Sequence, residues 1–137
     1  MDISSFDDLL RAAQTQPEPQ RLLFVFAGVE LPEDATPAQR QRFEAGQGGA
    51  LVPLMCVDKR LEELSSFEAL TQESSQFGQN WGIVFAAAMS GSPGRAPTSE
   101  EAKEPLQRMV EAIKRGEHGA YIPFDAQGHA VNMESRS

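Results

Sequence analysis

The chain has a single thiol, Cys56, and it is the first candidate nucleophile. It sits in Leu54-Met55-Cys56-Val57, an apolar segment with no adjacent cation to stabilise a thiolate, and so reads as a buried structural cysteine. His118 and His129 are candidate bases or ligands. Their spacing matches no metal-ligand motif, and together with Asp125 they read as solvent-exposed turn residues. Carboxylates are paired at Asp7-Asp8, Glu33-Asp34, Glu62-Glu63 and Glu100-Glu101. Adjacent side chains on a helix point in different directions, and acids favour the positive end of the helix dipole. These pairs therefore read as solvated helix ends rather than acid-base dyads. No catalytic residue, metal ligand or cofactor is assigned.

The strongest candidate binding segment is Ser90-Gly91-Ser92-Pro93-Gly94-Arg95-Ala96-Pro97-Thr98. It follows an apolar strand and leads into a capped helix, where free backbone N–H groups can receive an anion. Ser90, Gly91, Ser92, Gly94, Arg95 and Thr98 are the expected ligand contacts, with Arg95 as counter-charge. The segment lacks a lysine-serine phosphate motif and a dinucleotide glycine fingerprint, and Glu100 and Glu101 oppose an anion. A plain surface connector is the competing reading. Trp81, Tyr121 and Phe124 offer an aromatic contact surface, although aromatic residues in strands more often pack in a core.

These residues belong to a chain of 137 residues, enough for one core and too few for two. The hydrophobic share, 40 %, is enough to offset chain entropy, which argues against wholesale disorder. A net charge of −8 repels phosphate backbones and anionic lipid, and the basic pairs Lys59-Arg60 and Lys114-Arg115 are flanked by acids. Neither nucleic acid nor a membrane is expected as a partner. One cysteine permits no internal disulfide, and the acidic start Met1 to Asp8 lacks the features of a secretory signal, so the expected location is cytoplasmic.

The positioning elements follow from periodicity. Ser5 and Asp8 cap a helix carrying Phe6, Leu9, Leu10 and Ala13, which ends before Pro17 and Pro19. Leu22 to Val29 is apolar without alternation and predicts a central strand. After a turn over Leu31 to Thr36, Thr36 and Pro37 open a short helix that runs out in Gly46, Gly48 and Gly49. Ala50 to Val57 predicts a strand that Pro53 confines to an edge or a bulge. Ser65 and Glu68 frame a capping box for a helix reaching Phe77 and stopped by Gly78, with Leu61, Leu64, Phe67 and Leu70 inward.

Trp81 to Met89 predicts a second central strand. Thr98 and Glu101 cap a helix with the stripe Leu106, Met109, Val110 and Ile113; Pro105 predicts a kink or a regular start only at Glu104, and Gly116 a stop. Ala120 to Phe124 predicts an edge strand that turns at Asp125 to Gly128 into Ala130-Val131. The expectation is one α/β domain over residues 1–131 with a flexible tail over 132–137. It holds a single mixed sheet of four to five strands and about four helices. A parallel sheet in the order 2-1-3-4 is the alternative.

Three blocks carry a resemblance: Leu22 to Glu30, Gly49 to Lys59 and Gly119 to Asp125. With them the chain resembles a group of small proteobacterial proteins often labelled "ribonucleotide reductase subunit alpha". That label implies a radical cysteine, a reducing cysteine pair and a far longer chain. Cys56 alone meets none of these needs, so the resemblance implies no catalysis. The pattern of an apolar strand ending in a proline-containing block and followed by the helix start Ser66-Phe67-Glu68 is also similar to small secretion-associated or serine-sensitivity proteins of bacteria, with no function implied. The expected function is a non-catalytic bacterial accessory or protein-interaction module. A binder of small anionic ligands at the 90–98 loop is the alternative, and an enzyme with an unrecognised site comes third.

Overall fold

Two segments lack polar alternation, and both lie inside the sheet. The computed structural model describes residues 3–30, 35–44, 50–64, 67–75, 81–92, 94–117 and 119–131. In chain order they form α1 (Phe6–Gln14), β1 (Gln20–Glu30), α2 (Pro37–Glu44), β2 (Ala50–Arg60), a 3-10 turn (Leu61–Glu63), α3 (Phe67–Ser75), β3 (Ile83–Ser90), α4 (Ser99–Lys114) and β4 (Ile122–Phe124). The sheet has four strands in the order β2-β1-β3-β4. The expected single sheet, its strand number and its packed helices are all present, with β1 and β3 central and β2 and β4 at the edges. Every pairing is antiparallel, however, so the parallel component of a mixed sheet is absent among the described strands.

Alternation along β1 divides the core. Leu22, Phe24 and Phe26 face one side with Val84, Ala86 and Phe124, beneath Phe6 and Leu9 of α1 and Leu70 of α3. Phe6 is the hub of this face, with ring centroids 5.7 Å from Phe24, 4.9 Å from Phe67 and 5.7 Å from Phe124. Leu23, Val25, Ala27 and Phe85 face the other side and meet Ala102, Leu106, Met109 and Ile113 of α4. A strand covered on both faces cannot alternate with polar residues, which explains the composition of β1.

The helix ends follow their signals. Asp8 N donates to the Ser5 hydroxyl at 3.3 Å. Thr36 and Gln39 cap α2 reciprocally, at 3.2 and 2.8 Å. At the end of α4, Gly116 N donates to Ile113 O and Glu117 N to Ala112 O, with Gly116 at φ +76°, the left-handed turn a glycine permits. Three expectations need correction. Leu61 and Leu64 lie outside α3, the first in the separate 3-10 turn, although both still pack on the Phe6 face. Trp81 precedes β3 and packs its ring 5.0 Å from Phe26. α4 continues through Pro105 from Ser99 rather than beginning at Glu104. The Ser65 cap, Gly46, Gly48, Gly49, Phe77, Gly78 and the tail over 132–137 lie outside the described residues. Among the described residues no helix is long and apolar enough to cross a membrane.

Candidate functional site

The loop after β3 folds onto itself. The Ser90 hydroxyl accepts a hydrogen bond from Gln20 Nε2 at 2.9 Å, and Gly91 N donates to Pro19 O at 2.9 Å. A Cβ on Gly91 would lie 2.0 Å from Arg95 O, so only glycine fits there. Ser92 and Arg95 exchange two backbone hydrogen bonds of 3.0 Å, and Gly94 takes φ +77° between them. Arg95 Nη2 then donates to Glu101 Oε1 at 3.2 Å. The same carboxylate accepts Thr98 N at 2.9 Å, while the Thr98 hydroxyl accepts Glu101 N at 3.1 Å. Those bonds hold the Glu101 carboxyl below its ordinary range, the backbone bond from Thr98 contributing most and Arg95 less. Arg95 and Thr98 are thus engaged with the helix's own acid.

A shallow, open groove of ≈ 480 Å³ lies beside this loop, lined by Arg21, Arg60, Glu63, Ala96, Pro97 and Thr98. Of the expected contacts only Thr98 reaches it. Arg21 and Arg60 are direct partners across the β1–β2 ladder, which sets two guanidiniums on the α4 side of the sheet. Like charges in such a pair repel, so each needs a neighbour. Arg21, 8 % exposed, donates through Nε to Asp58 Oδ2 at 2.6 Å and forms an ion pair through Nη2 with the same oxygen. Ser99 Oγ donates to Asp58 Oδ1 at 3.1 Å, so this network ties β1 and β2 to the start of α4. Arg60 is more than half exposed, and its Nε reaches Glu63 Oε1 at 3.4 Å. Glu63 also accepts Arg60 N at 2.9 Å, the main cause of its lowered carboxyl pKa. Arg21 carries no signal in the sequence, and Arg60 reads there only as half of the basic pair Lys59-Arg60 flanked by acids. Only the pairing register shows them to be neighbours.

β2 ends at this groove and forms one border of the sheet. Phe26 faces Met55 and Ala27 faces Pro53, which leaves Leu54 as an extra residue, a bulge at the proline. Cys56 is exposed on this border, correcting the expectation of a buried thiol. Among the described residues β2 has a ladder partner on one side alone, so an apolar neighbourhood in sequence did not bury Cys56. The surrounding protein and, secondarily, the Asp58 carboxylate raise its pKa, which keeps it protonated.

His129 sits on the terminal hairpin at the opposite end of the sheet, so no Cys56–His129 dyad forms. Its Nδ1 is 3.7 Å from Asp125 Oδ2, and His118 lies outside the described residues. Among the described residues no group of three His, Cys, Asp or Glu is placed to hold a metal ion. Trp81 and Phe124 pack on the Phe6 face and Tyr121 on the α4 face, so the three aromatic residues form no common surface. No family model, curated protein or solved structure matches the chain.

Proposed function

We propose that the chain is a non-catalytic protein-interaction module that receives an extended segment of a partner protein along the outer edge of β2. The observation that carries this reading is the difference between the sheet borders. β2 offers 11 residues whose only ladder partner among the described residues is β1. From Ala50 to Val57 it contains no charge. Unpaired N–H and C=O groups along such an edge can accept an added strand, and half-buried apolar flanks supply contact area.

With the full chain as bait in a native lysate, the reading expects a stoichiometric partner. That partner protects Cys56 from alkylation and slows amide exchange over residues 50–60. Failure to recover any stoichiometric partner, or recovery of one that leaves both signals unchanged, overturns it.

A second reading, a small anionic ligand, is favoured by the two arginines that line the groove. It moves the counter-charge from Arg95 to Arg60. A thermal-shift screen of phosphorylated metabolites supports it only if stabilisation survives Arg95→Ala and is lost in Arg60→Ala.

A further inference from the structure

We infer that the segment received by β2 carries an acidic side chain that docks in the groove at Arg60. The inference rests on the edge reading and adds the chemistry of the partner. The groove is continuous with the edge, because Arg60 is both the last residue of β2 and part of the groove wall. A strand laid antiparallel on β2, as every existing pair in this sheet is, has its N-terminal end at Arg60.

The charges there favour an acid. The groove wall carries Arg21, already compensated by Asp58, and Arg60 beside the carboxylate Glu63. Asp58 is turned to Arg21 and Ser99. Glu101 is occupied by Arg95 and Thr98. Lys59, on the other face of β2, is held by Glu73 at 2.8 Å. Arg60 makes one side-chain contact among the described residues, through Nε at 3.4 Å to Glu63, which leaves its two terminal nitrogens to donate. A planar carboxylate suits that fork. The uncharged run Ala50 to Val57 asks only for a β-branched continuation of the segment.

The test uses two labelled peptides of alternating valine and threonine, one preceded by aspartate and one by asparagine, titrated against the full chain by fluorescence polarisation. Cys56 alkylation is followed in parallel. The expected result is that the aspartate peptide binds about threefold to fivefold tighter, the scale of one partly exposed charge pair. The preference should shrink in high salt and vanish in Arg60→Ala, with Cys56 protected throughout. Equal binding of both peptides with Cys56 protected overturns the acidic contact and leaves the edge reading standing. A preference that persists in Arg60→Ala places the acid elsewhere and also overturns the inference. Absence of binding and of protection overturns both readings.

Discussion

The two borders of the sheet solve the same problem in opposite ways. At β4, three residues pair with β3, and the chain then turns back so that Val131 N donates to Pro123 O at 2.9 Å. The N-terminal segment closes over this hairpin, with Phe6 N bound to Gly128 O at 2.8 Å and Ala130 N to Ser4 O at 2.9 Å. Phe124 beneath it is fully buried. At β2 the strand is more than three times as long, bears a proline and a bulge, and exposes its one cysteine. Proline and a bulge discourage indiscriminate pairing, whereas a covering segment prevents it outright. The β4 border is closed by packing, whereas among the described residues β2 has no such cover, and the proposed docking of a partner rests on that difference.

The contrast predicts unequal costs of substitution. Phe124→Ala at the closed border should destabilise by about 3–5 kcal/mol in chemical denaturation, because it removes a fully buried ring packed edge-on against Phe6 and leaves a cavity. A cost under about 1 kcal/mol would show the hairpin to be peripheral. At the open border the corresponding anchor is the Arg21–Asp58 pair, whose side chains are 10 % and 16 % exposed. Arg21→Ala leaves the largely buried Asp58 carboxylate with Ser99 as its remaining side-chain partner among the described residues, and should cost about 2–4 kcal/mol. Replacing both, with Arg21→Met and Asp58→Leu, should restore most of that loss. If the double variant is as unstable as the single one, the network contributes more than charge compensation.

The sequence showed which strands were central because burial on both faces removes polar alternation, as in Leu22 to Ala27. It showed α4 because Thr98, Glu101 and Gly116 are local signals read within a few residues. What it hid depends on register. Arg21 and Arg60 are far apart in the chain and become neighbours only through the β1–β2 pairing. Cys56 looked buried because its neighbours are apolar, yet exposure on an edge strand is decided by what lies beside the strand. The loop over 90–98 reads as a ligand cradle because glycine, serine and arginine serve ligand binding and turn formation alike, and its described residues close a turn and cap α4.

A smaller effect sharpens the closed border. Gly128 sits at φ +85° with a prospective Cβ 3.0 Å from the Phe67 ring. Gly128→Ala should therefore cost about 1–3 kcal/mol, backbone strain together with displacement of that ring. Gly94→Ala, also at positive φ but facing open space, should cost less. The order of the two in thermal denaturation separates the ring contact from the backbone term.

Acid probes the same hairpin. The Asp125 carboxyl is lowered chiefly by the backbone N–H of His129, and also by that of Gln127, with hydrogen bonds of 3.0 and 2.9 Å. Asp8 is lowered by Ser4, and Glu63 and Glu101 by their helix-start bonds. Each folded-state pKa lies below its unfolded value. The contribution is thus complete above the ordinary carboxylate range of about 4 and disappears as pH falls through the lower folded values. Stability should decline below about pH 4, and Asp125→Asn should flatten that decline. An unchanged pH profile would show that the turn does not depend on the charge.

The smallest expected change comes from Cys56, and it tests the open border most directly. Its side chain is exposed, so Cys56→Ser should alter stability by no more than about 0.5 kcal/mol. Its raised pKa should nevertheless make it alkylate more slowly than a free thiol at neutral pH, with a rate that climbs as the pH approaches the thiol's own range. Slow reaction through burial would instead require opening of the sheet, and the rate would then follow added denaturant. A rate set by pH and insensitive to mild denaturant confirms an accessible, protonated thiol on an uncovered strand. A rate that follows denaturant would mean that the β2 border is closed, and the asymmetry between the two borders would be lost.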